Sequence, residues 1–90
     1  MRVYKEVYTI ESSFIINDPS ITYHFDFGHK FIFGIGKYTS GFTHRDNFWG
    51  NMKKSKERHP DHTIEEVSIK EVSIDLKKKM LIYILSREEL

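Results

Sequence analysis

The chain has no cysteine, only two prolines, and no apolar run longer than the six residues from Met80 to Leu85. Without cysteine there are no disulfide staples, no thiolate metal ligands and no cysteine nucleophile. A reducing compartment suits such a chain, and a cytoplasmic location is the expectation. The short apolar run cannot cross a bilayer, which takes about 20 residues in a helix. Met1-Arg2-Val3-Tyr4-Lys5-Glu6 holds no apolar stretch of the secretory type, so no signal peptide and no membrane partner are expected. Neither charge sign dominates, since 14 basic and 13 acidic side chains leave +1. Affinity for phosphate backbones normally comes with a basic surface, so the composition argues against a general polyanion binder.

What the chain does have is aromatic side chains. Nine of its thirteen aromatic residues, and three of its five histidines, lie between Tyr23 and Trp49. From Tyr23 to Tyr38, aromatic or aliphatic residues alternate with polar or small ones. A half-buried strand needs that pattern, because successive side chains point to opposite faces. Ninety residues with 39% hydrophobic content make one domain, 1–90, with a thin core.

Along the chain, residues 2–10 read as a strand, with Phe14-Ile15-Ile16 as a further piece past a bulge. Asn17-Asp18-Pro19-Ser20 reads as a turn. Ile21 to Phe27 is a second strand, with Tyr23, Phe25 and Phe27 on one face and Thr22, His24 and Asp26 on the other. Gly28-His29 turns the chain into a third strand, Lys30 to Tyr38. Gly34 and Gly36 share one of its faces, where glycine lets a ring or backbone lie close. Thr39-Ser40-Gly41 ends the sheet segment. A helix is expected at about 44–58, capped by Thr43 and stopped by Pro60. Thr63-Ile64-Glu65-Glu66 has the look of a capping box, but helical spacing does not continue after it. Residues 67–76 read instead as a strand with a bulge near Lys70-Glu71. A hairpin at 76–79 would lead into Met80 to Ser86 as a central strand buried on both faces. Arg87 to Leu90 reads as a frayed tail. The order β-β-β-α-β-β predicts an α+β fold. It is a mostly antiparallel sheet of about five strands, with one helix on one face or closing a half-barrel.

No motif names a reaction. His59 and His62 are spaced H-x-x-H, but zinc needs three or four converging ligands, and Pro60 lies inside the pair. No metal and no cofactor are expected. His44-Arg45-Asp46, with His59 or His62 at the far helix end, offers a base, an acid and a cation, as a small metal-independent ribonuclease requires. His24 and Asp26 could join only from an open strand face. Lys53, Lys54, Lys56 and Arg58 follow Phe48-Trp49, the pairing of cations with rings that holds single-stranded nucleic acid. An exposed Trp49 beside that stripe would favour nucleic acid. Gly34-Ile35-Gly36-Lys37 falls inside a strand, which fits close packing better than a phosphate loop. Tyr38, Phe42, Arg45, Trp49 and Lys53 form the expected binding surface, with Met52 beside them, since such aromatics, Met and Arg anchor interfaces. The preferred expectation is a stoichiometric binder of a protein partner, of the inhibitor or immunity type found in phage and toxin systems. Homodimerisation through an edge strand is a further expectation.

Overall fold

Period-two alternation organises the first half of the chain into four strands, and helical spacing places one helix on each face of the resulting sheet. The computed structural model describes residues 1–10, 18–37 and 39–88. The expected strand piece Phe14-Ile15-Ile16, Asn17 of the expected turn, Tyr38, and the tail residues Glu89 and Leu90 lie outside the described residues. The elements are β1 (Arg2–Ile10), β2 (Asp18–Asp26), β3 (Phe31–Gly36), β4 (Ser40–His44), α1 (Arg45–Arg58), β5 (Thr63–Val67), a short 3-10 turn (Ile69–Glu71) and α2 (Ile74–Glu88). All neighbouring strands run antiparallel, in the order β4-β3-β2-β1-β5, and the sheet is open. The α+β fold with a five-stranded antiparallel sheet is thus as expected, while the single-helix arrangement is not.

The register sorts the side chains cleanly. Val3, Tyr23, Phe25, Phe33 and Ile35 meet Val72 and Met80 from the α2 side. Tyr4 and Ile32 meet Phe48 of α1 on the opposite face, with Met52 and Ile64 packed alongside. The two glycines on the α1 face permit close approach. A Cβ on Gly34 would lie 2.8 Å from His24 Nδ1, and one on Gly36 would lie 2.4 Å from the carbonyl oxygen of Ile21.

Four expectations are corrected. Asp18-Pro19-Ser20 belongs to β2, with Pro19 opposite Thr9 near the strand end, where a missing donor is tolerated. The sheet does not end at Thr39-Ser40-Gly41: Gly36 N donates to Thr39 O at 2.8 Å, and the chain returns as β4. Helix α1 starts as expected, but His44 rather than Thr43 caps it, its Nδ1 accepting from Asp46 N at 3.2 Å. The largest correction concerns residues 67–88. The strand ends at Val67, and the segment expected as a hairpin and central strand is helix α2. Ser73 caps it, its hydroxyl accepting from Leu76 N at 3.2 Å. Leu76, Met80, Tyr83 and Ile84 recur at helical spacing and pack on the sheet. Among the described residues, no helix is long and apolar enough to cross a membrane.

Candidate functional site

Two features stand apart from the core: a buried polar network beneath α1, and an apolar face on α2. The network begins at Glu6, which shares a face of β1 with Tyr4 and Tyr8. Its Oε1 accepts from His24 Nε2, and its Oε2 from His62 Nε2, both at 2.8 Å. All three side chains are buried. Burial pushes the Glu6 carboxyl up, but the hydrogen bonds that His24 and His62 donate to it act the other way and the group is held below its ordinary range. His62 reaches Glu6 because its loop is pinned. Asp61 Oδ2 accepts from Thr9 N at 2.8 Å, and the Lys56 ammonium donates to the carbonyls of Pro60 and His62. Tyr8 stacks on His59 with ring centroids 4.2 Å apart. An open pocket of about 280 Å³ lies beside Glu6 and His24, under α1 and against β2 to β4.

The expected site residues do not form one constellation. His44 and His59 flank opposite ends of the 14-residue helix α1, about 20 Å apart. His59 is therefore out of reach of His44 and Arg45, and His62 is committed to Glu6 through Nε2. Arg45 instead ties the β2–β3 turn to the helix start: its guanidinium donates to Asp26 Oδ1 and, through Nε, to His29 O at 3.0 Å. His24 does not lie on an open face. It is buried, as is His62, whose ring packs against the protein interior. Among the described residues, no group of three or more histidine, aspartate or glutamate side chains could hold a metal ion. Glu6 was not singled out from the sequence, although its place between Tyr4 and Tyr8 in a period-two pattern marks it as an inward-facing carboxylate.

Phe48 and Trp49 part company. Phe48 is fully buried, whereas Trp49 is 55% exposed, resting edge-on against Tyr4 and Phe48. Trp49, Met52, Lys53 and Lys56 of α1, with His62 and Ile64, line a shallow cavity of about 370 Å³ where α1 meets β5. Lys53, Lys54 and Arg58 point to solvent, while Lys56 is engaged with the following loop. Phe42 on β4 is half-exposed and packs on Phe33 and Tyr83, and Tyr38 lies outside the described residues.

The second feature is α2 itself. Ile74, Leu81, Ile82 and Leu85 are 68%, 55%, 65% and 58% exposed. At 3.6 residues per turn they fall within an arc of about 100°, which also holds the exposed Lys78 and is separate from the stripe that packs on the sheet. The helix therefore carries two apolar stripes, of which the fold covers one. Between α2 and the β3–β4 end runs a groove of about 350 Å³, lined by Ile35, Ser40, Ile82 and Tyr83 among others. The adjoining edge strand β4, Ser-Gly-Phe-Thr-His, carries no lysine, arginine, carboxylate or proline. The other edge, β5, presents exposed Glu65 and Glu66, the kind of charge that discourages strand addition. No protein-family model, curated protein or solved structure matches this chain.

Proposed function

We propose that this chain is a small cytoplasmic binding protein that acts by occupying a protein partner, in its most concrete form an inhibitor or immunity-type module of a phage or toxin system. The observation that carries the reading is the uncovered apolar stripe Ile74, Leu81, Ile82 and Leu85 on α2. Leu81, Ile82 and Leu85 adjoin one another on that face, with the exposed Lys78 between them and Ile74, and clustered exposed apolar side chains on a small domain mark an interaction site. The stripe adjoins a groove and the uncharged edge strand β4, so a partner could add an apolar helix to α2 or a strand to β4. The cytoplasmic assignment rests on the absence of cysteine. Placing the contact on α2 and β4 shifts the expected surface of Phe42, Arg45, Trp49 and Lys53 toward the opposite sheet face, with Phe42 common to both.

Quantitative affinity capture from the native cell tests this, comparing wild type with an Ile82→Glu/Leu85→Glu double variant. The reading expects a protein captured at near one-to-one ratio by wild type and lost by the variant, with both proteins equally folded by circular dichroism. Equal capture by both would remove α2 from the account.

A second reading has its own observation. Trp49 is exposed beside Lys53 and the cavity of about 370 Å³, an arrangement that stacks a base and holds its phosphate. It would make the chain an RNA-binding protein. Its test is single-stranded RNA binding at about 0.15 M salt, where Trp49→Ala and Lys53→Ala should each weaken any measured affinity.

A further inference from the structure

We propose that the pocket beneath α1 is a binding site for a small, uncharged, hydroxyl-rich molecule of about monosaccharide size, held by a hydrogen bond from one of its hydroxyls to His24 Nδ1. This site is independent of the α2 surface.

The orientation of His24 follows from its partner. An ionised carboxylate only accepts hydrogen bonds, so the 2.8 Å contact with Glu6 Oε1 places the proton on Nε2. In the neutral ring Nδ1 is then an acceptor. The side chain is 9% exposed. Nδ1 takes no hydrogen bond from the described residues, yet no buried side-chain nitrogen or oxygen among them lacks a partner. That acceptor is therefore not sealed in: it opens onto the pocket that His24 and Gly34 both line. Gly34 provides the space, since a Cβ there would stand 2.8 Å from Nδ1. A ring anchored by a buried carboxylate, with its second nitrogen aimed into a cavity over a glycine, is a preorganised acceptor.

The lining fixes the class of ligand. Among the described residues no lysine or arginine lines the pocket, so an anion would find no ammonium or guanidinium there. Both oxygens of Glu6 are taken by histidines, so a cation would find no open carboxylate oxygen. The remaining polar side chains are hydroxyls: Tyr8, Thr22, Thr39, Thr43 and Ser55. Thr22 and Thr39 already pair at 3.3 Å. Hydroxyls donate and accept alike, which suits a molecule whose own groups do the same. Met52 and the ring of Tyr8 supply an apolar wall for its C–H faces. The volume of about 280 Å³ lies near the lower bound for ligand sites and corresponds to about nine displaced waters. A molecule of about a dozen non-hydrogen atoms fits that space.

Amide NMR titration of the full chain tests the proposal. D-glucose, D-ribose and myo-inositol are added in turn, each beside its monophosphate. The expected result is saturable shifts at His24, Gly34, Gly41 and Thr43 with at least one neutral compound, and weaker binding of its phosphorylated form. His24→Gln retains an N–H donor for Glu6 and removes the ring acceptor; it should weaken that affinity about tenfold, the worth of about 1.4 kcal/mol. If His24→Gln does not fold, Thr43→Val on the pocket wall carries the same test. No saturable shift in the pocket with any neutral compound, preference for the phosphates, or unchanged affinity in the folded variant would overturn the proposal.

Discussion

Glu6 joins three parts of the chain, binding His24 of β2 and His62 of the loop before β5 from its own place on β1. Hydrogen bonds to a charged group contribute about 1.5–3 kcal/mol each, so Glu6→Gln should cost at least that at neutral pH, measured by urea unfolding. The sign of its pH dependence follows from its lowered pKa. The folded group releases its proton more readily than the unfolded one, whose ordinary value is 4.5. Its stabilisation is complete well above that value and fades as pH falls through it and below. The stability gap between wild type and Glu6→Gln should therefore shrink in acid, and a gap that widened would contradict the assignment. Gly36→Ala drives a Cβ into the Ile21 carbonyl and should destabilise by about 1–3 kcal/mol. Both glycines were legible in the sequence, because alternate glycines in a strand imply close approach. The histidine network was not. His62 meets a partner 56 residues away, and no local spacing encodes such a pairing.

Among the elements, β1 and α1 were legible nearly to the residue. Alternation fixed the strand, and His59-Pro60 marked the helix end. Strand β4 was missed because Thr39-Ser40-Gly41 has the composition of a breaker, whereas pairing with β3 overrides it. Helix α2 was missed for a deeper reason. Its window is apolar on nearly every side from Met80 to Leu85, and a short apolar run does not distinguish a buried strand from a helix. The residues that hid the helix are those that its fold leaves uncovered. The consequence is measurable. Met80→Ala, at a buried position, should cost about 2–5 kcal/mol. Ile82→Glu should change stability by no more than about 0.5 kcal/mol, since that side chain is already in solvent. Equal losses at both positions would mean that α2 is buried on both stripes.

For the whole molecule, the order β4-β3-β2-β1-β5 puts β2 at the centre, flanked on both sides and covered by a helix on each face. Native-state hydrogen exchange should be slowest in β1 and β2, and faster at residues 81–86 of α2, whose outer stripe is bare. The molecule is thus closed at its centre and open along α2 and β4, and the account rests on that open side being the one that meets a partner. The most direct measurement is photo-cross-linking in the native cell, with a photoreactive residue in place of Ile82 and, separately, of Glu65 on the charged edge. The account predicts a discrete protein adduct from position 82 and none from position 65. An adduct from position 65 alone, or none from position 82, would contradict it.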